Sequence, residues 1–134
     1  VTAGDRAGAM TINSFASVSL EPPLVLWSLA LDSDRKALFQ GAERYAINVL
    51  AADQQELASA CARQNDVEAG GGRWTHAPGG GAPFIDGAVA RFDCALRAVH
   101  RGGDHDIIVG EVVHFDRPVD KPALVFHRSA YAEL

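Results

Sequence analysis

The sequence predicts a mainly β protein: a small antiparallel barrel, closed or split, with short helices at its flanks. Three observations carry that expectation. Residues 88–100 alternate, with Ala88, Ala90, Phe92, Cys94, Leu96 and Ala98 facing one way and a half-polar set facing the other. Several further strand-like runs are joined by Gly- and Pro-rich turns, and only two short helical patterns interrupt them. Neither a βαβ alternation nor a Gly-rich dinucleotide fingerprint is present, which argues against a Rossmann domain.

Taken in order, Val1-Thr2 reads as the end of a strand and Ala3 to Gly8 as a turn of small residues. Met10 to Leu20 reads as a strand. It carries Thr11, Asn13, Ser14, Ser17 and Ser19, where a strand built only for a core would carry Val, Ile and Leu. Such side chains suit the reading of a flat, polar-edged ligand. Pro22-Pro23 removes two backbone donors and ends that strand. Leu24 to Leu31 is almost unbroken apolar sequence, as for a strand buried on both faces. Ser33 is placed to cap a helix over Asp34 to Phe39, which Gly41 closes. Tyr45 to Leu50 is the next strand.

Asp53 and Glu56 have the spacing of a capping box for a helix running to about Arg63, with Leu57 and Cys61 on one face. Gln64 to Gly87 holds two triple-glycine runs and little periodicity; it reads as a mobile surface loop or as a lid over a ligand. Arg101-Gly102-Gly103-Asp104 is a hairpin turn that returns the Ala88–His100 strand as Asp106 to Phe115. Ala123 to Phe126 is a last short strand, and Tyr131 to Leu134 a tail.

The chain has 134 residues, enough for one domain with one core. A net charge of −5 without a basic stripe argues against a nucleic-acid binder. No run has the length of a membrane span and no signal peptide is seen, so a cytoplasmic location is expected. Cys61 and Cys94 lack ligand-like spacing and read as reduced structural thiols. His100, His105, Asp106 and His114 fit no zinc spacing, so no metal site is assigned.

The run Thr11-Ile12-Asn13-Ser14-Phe15-Ala16-Ser17-Val18-Ser19-Leu20-Glu21-Pro22-Pro23-Leu24-Val25-Leu26, followed by Ser28, Ala30, Ser33 and Arg35, resembles the flavin reductase-like family. Gly102-Gly103-Asp104-His105 and Tyr131 extend the likeness over nearly the whole chain. The resemblance implies an FMN-binding split barrel. It implies an NAD(P)H:flavin oxidoreductase, with FMN or FAD as cofactor and NADH or NADPH as co-substrate, serving a partner flavin-dependent monooxygenase. It also implies a helix and strand ahead of Val1 that this sequence lacks. A homodimer is expected because half-polar, half-apolar strand faces such as that of Val89 to Val99 could pair across a two-fold.

Flavin needs a flat apolar slot, donors for its polar edge and a site for its phosphate. Thr11, Ile12, Asn13, Ser14, Ser28, Leu29 and Ala30 are the candidates for the first two. Ser33 and Arg35, with Lys36 beside them, are the candidates for the third, although Asp32 and Asp34 would repel an anion. The resemblance assigns His105 to the nicotinamide as the one catalytic candidate, and Tyr131 to closing the site. Two other readings stay open: a flavin-holding electron carrier on the same fold, and a barrel without flavin that serves as an interaction module.

Overall fold

The computed structural model describes residues 1–134. Strands β1 (Thr2–Ala3) and β2 (Gly8–Ala9) form a tight hairpin. Strand β3 (Ala16–Leu20) begins six residues later than the expected start at Met10. Ser14 accounts for the difference. Its hydroxyl oxygen accepts the Ser28 N–H at 2.9 Å, taking the place of a ladder carbonyl. The Thr11 hydroxyl donates to the Ala58 carbonyl at 2.6 Å and draws the preceding segment away from the sheet.

Strand β4 (Pro23–Ala30) alternates instead of being buried on both faces. Val25, Trp27 and Leu29 are buried; Leu24, Leu26, Ser28 and Ala30 are half-buried, because only one face of the sheet meets the core. Helix α1 (Lys36–Gln40) starts two residues late. Ser33 does not cap it directly. The Ser33 hydroxyl accepts the Arg35 N–H at 3.2 Å and its carbonyl accepts the Lys36 N–H at 3.2 Å, which makes a turn ahead of the helix. Gly41 closes α1 as expected, its N–H donating to the Ala37 carbonyl.

Strand β5 (Arg44–Val49) leads through a 3-10 turn at Ala52–Gln54 into helix α2 (Gln55–Cys61). The cap expected at Asp53 is absent. The Gln54 side-chain oxygen instead accepts the Ala51 N–H at 2.9 Å, one residue along, and Asp53 pairs with Lys121 at 2.7 Å.

The stretch Gln64–Gly87, read as irregular, holds a folded hairpin of β6 (Trp74–His76) and β7 (Pro83–Ile85), with Val67, Ala77, Phe84 and Ile85 buried. Its anchor is remote in sequence. The buried Asp93 carboxylate accepts the Ala82 N–H at 3.3 Å and the Arg44 guanidinium. Gly81 lies so close to that carboxylate that a Cβ would collide with it. The glycines hide the period-2 pattern from the sequence.

Strands β8 (Ala90–Gly102) and β9 (His105–Asp116) form the long central hairpin over a two-residue turn, with Gly103 at φ +65°. The alternation predicted for β8 is broken by bulges at Asp93/Cys94 and Leu96/Ala98, so Asp93 and Cys94 are both buried although adjacent. The expected C-terminal tail is β11 (Ala130–Glu133), paired with β10 (Leu124–His127), Phe126 facing Tyr131.

Seven strands form one antiparallel sheet in the order β2-β1-β5-β8-β9-β4-β3. The edge strands β2 and β3 do not pair with each other, so the barrel is split. Trp27 centres the core: its ring meets Phe39 edge-on at 5.4 Å and Tyr45 at 6.0 Å, between Leu29, Ile47, Cys94 and Ile108. Gly110 permits this, since a Cβ on it would strike the Tyr45 hydroxyl. A second cluster joins Leu57 and Cys61 of α2, as their spacing predicted, to Val67 and Ile85.

Candidate functional site

A cavity of about 540 Å³ opens between the segment ahead of β3, the end of β5, helix α2 and the β10–β11 hairpin. Its walls are mostly apolar: Met10, Ile12, Phe15, Ile47, Val49, Leu50, Cys61 and Phe126 contribute. Polar groups come from Thr11, Asn13, Asn48 and Tyr131. Four of the sequence candidates, Thr11, Ile12, Asn13 and Tyr131, therefore line one space. They differ in what they can offer. The Thr11 proton is already donated to Ala58, so its hydroxyl is left as an acceptor. Asn13 is exposed and its amide has no partner, which leaves both its donor and its acceptor free.

Ser14 and Ser28 are joined by their hydrogen bond, and Ala30 lies opposite His105 in the β4–β9 register. Leu29 behaves differently. Its side chain is fully buried in the core, on the face opposite Ser28 and Ala30, so only its backbone faces the candidate region. Ser33 and Arg35 touch the cavity walls from outside. The Ser33 hydroxyl lies 3.5 Å from the Met10 sulfur.

Arg35, expected as a free cation in a first helical turn, precedes α1 and is 8% exposed. Its Nη1 donates to the Cys61 carbonyl at 2.9 Å, at the end of α2, and its Nε points to the Asn65 carboxamide oxygen at 3.5 Å. The cation thus complements a helix C-terminus. Burial pushes the Cys61 thiol up, and the Arg35 charge opposes part of that shift.

The tip of the β8–β9 hairpin sits beside the same loop. The Leu31 N–H donates to the Asp104 carbonyl at 2.9 Å, and the Ser33 N–H to the Ala30 carbonyl at 3.2 Å. His105 is partly exposed there, with Nδ1 2.8 Å from the Asp104 carboxylate. That hydrogen bond holds the Asp104 carboxyl below its usual range. A carboxylate only accepts, so Nδ1 carries the proton in this bond, and in the neutral imidazole Nε2 is then the acceptor.

Sequence reasoning missed Asn48, Met10 and Cys61 as cavity walls. Asn48 had a signal: it is the one polar residue in the apolar run Tyr45–Leu50. Its amide is engaged on both sides in the structure, donating one N–H to the Thr2 hydroxyl at 3.0 Å and accepting the Ile85 N–H at 2.9 Å. Met10 and Cys61 had none.

A family model described as the flavin reductase like domain matches residues 1–134. FMN reductase (NADH) SmoA of Agrobacterium fabrum is 48% identical over 108 residues, covering 78% of this chain and 59% of that protein. The flavin-dependent monooxygenase reductase subunit HsaB of Rhodococcus jostii is 36% identical over 118 residues, covering 88% and 60%. The crystal structure of BorF, the flavin reductase component of a bacterial two-component tryptophan halogenase, superposes with a TM-score of 0.87 at 38% identity, over 99% of this chain and 86% of that one. The chain spans about three-fifths of the length of the two curated relatives.

Proposed function

The chain belongs to the flavin reductase-like domain family, and from that premise we propose that residues 1–134 act as one domain that transfers hydride from NADH or NADPH to FMN or FAD. The reduced flavin would serve a flavin-dependent monooxygenase. One observation carries the reading. An apolar cavity bearing the free Asn13 amide is contacted at its walls by Ser33 and Arg35, and the loop that carries them is hydrogen-bonded to the tip bearing His105. A flat apolar slot with a few polar groups at its rim is what a flavin ring requires.

Bound flavin would supply the hydride-accepting chemistry. The protein's part is placement. Asn13 and the backbone around Ser28 to Ala30 would hold the polar edge of the ring. Ser33, with Lys36 nearby, would meet the phosphate, and Arg35 fixes the loop that presents them. His105 would accept the nicotinamide carboxamide N–H at Nε2 and so orient the nicotinamide, while Tyr131 would close the cavity. The NADH-oxidising relative SmoA favours turnover over a flavin carrier.

A homodimer completes the proposal. In the β4–β9 register Leu26 faces Val109 and Ser28 faces Ile107, on the side away from the core. Val113 continues this apolar face and is exposed. A second copy of the chain, pairing about a two-fold axis, would cover it. No helix is long and apolar enough to cross a membrane; the two free, buried thiols suit the cytoplasm.

The test is to mix the protein with FMN or FAD and with each nicotinamide cofactor under anaerobic conditions, and to follow oxidation of the nicotinamide. Flavin-dependent oxidation is expected. Tight flavin binding without nicotinamide oxidation would replace the enzyme with the electron carrier.

A further inference from the structure

Asp106 is the first residue of β9 to point into the core, and it is 4% exposed beneath a hairpin tip whose residues 101–104 are all exposed. Each of its carboxylate oxygens accepts one hydrogen bond. Oδ1 takes the Arg101 Nε–H at 2.9 Å from the opposing strand, and Oδ2 takes the Gln40 amide at 2.9 Å from the last residue of α1. The Gln40 bond foremost, and then Arg101, hold this carboxyl below its usual range.

We propose that Asp106 is a positioning residue for His105: its carboxylate ties the hairpin tip to α1 and so fixes where the imidazole stands over Ala30. The proposal rests on the nicotinamide role assigned to His105 above. The geometry behind it is local. His105 and Asp106 are consecutive in a strand, so their side chains leave opposite faces and the direction of one sets the direction of the other. Arg101 is the register partner of Asp106, and Ala30 of His105, the last β4 residue paired to β9.

Beyond that pair the tip is a two-stranded ribbon, which is marginal without support. Two tethers hold it: the Leu31 N–H on the Asp104 carbonyl, and the Asp106 carboxylate. The bond to Gln40 is the one that crosses to a different layer of the fold. Removing the negative charge leaves two donors competing for one neutral acceptor, and the tip is then free to swing.

The test combines kinetics with a spectrum. Asp106→Asn is expected to lower kcat/KM for the nicotinamide about tenfold, with most of the change in KM, since a displacement of about 1 Å can cost about a hundredfold. The flavin dissociation constant is expected to stay within about twofold. In a His105→Ala background, Asp106→Asn is expected to add nothing, because its effect passes through the imidazole. The same tenfold loss in both backgrounds would overturn the proposal.

The second readout needs no flavin. The Cε1–H resonance of His105 is expected to shift or broaden in Asp106→Asn, while those of His76 and His127 stay in place; an unmoved His105 signal also overturns the proposal. Should Asp106→Asn not fold, Gln40→Leu, at an exposed position, removes one tether and is read in the same way. If the wild-type protein oxidises no nicotinamide, the reductase reading falls, and the resonance alone decides the role of Asp106.

Discussion

Arg35 illustrates how far a residue's role can move between sequence and structure. Its position after Ser33 suggested a free cation for a phosphate, yet its guanidinium is enclosed and donates to the Cys61 carbonyl. Replacing it with Ala leaves that carbonyl and the Asn65 side chain without their donor. Arg35→Ala is expected to lower the unfolding free energy by about 1–3 kcal/mol, measured by urea denaturation. Flavin binding is expected to weaken as well, since the Ser33 loop loses its anchor. Cys94 gives a second prediction at this scale. Burial foremost, and then the neighbouring Asp93 charge, push its thiol from 9.0 up to about 12. A folded pKa above the unfolded value means that stability is fully present below pH 9.0 and is lost as pH rises toward about 12. Cys94→Ala is expected to flatten that alkaline decline, as followed by denaturation midpoints at a series of pH values.

At the scale of elements, the β10–β11 hairpin turns through Arg128 and Ser129, both at positive φ, 53° and 60°. Such a turn favours Asn-Gly. Arg128→Asn with Ser129→Gly is expected to stabilise the protein by roughly 1 kcal/mol, because the left-handed conformation costs other residues about that much. A rise in melting temperature checks it; an unchanged value would mean that the strain is relieved elsewhere. The sequence concealed this hairpin because its turn carries neither Asn nor Gly. Elements with strong periodicity were legible: β4, β5, β8 and β9 lie within about two residues of their expected bounds. Those held by remote contacts were not. The β6–β7 hairpin depends on Asp93, and the late start of β3 depends on the Ser14 hydroxyl, neither of which has a local pattern. Within the site, Thr11 to Asn13 and Tyr131 were readable from the motif, whereas the cavity that unites them arises only when α2 and the β10–β11 hairpin close around it.

At the scale of the whole molecule, the outer face of β4 and β9 leaves Leu26, Ile107 and Val109 half-buried, and Val113 exposed. A dimer is expected by light scattering at micromolar concentration. Val109→Lys is expected to yield monomers, by placing a charge in the centre of that face without touching the core. A dimer that survives the substitution would locate the interface elsewhere. The same sheet carries a consequence for how the chain acquires its structure. β4 and β5 are made early, yet neither pairs with the other; the β8–β9 hairpin, synthesised later, inserts between them. Until residues 90–116 leave the ribosome, Trp27 and Tyr45 have no lid of Cys94 and Ile108, and each of the two strands has an unpaired edge. Folding therefore waits on distant partners, which places it in the slow regime of high contact order. A nascent chain stalled before Ala90 is expected to be cut readily by protease and to engage chaperones, and both behaviours should end once Asp116 has emerged.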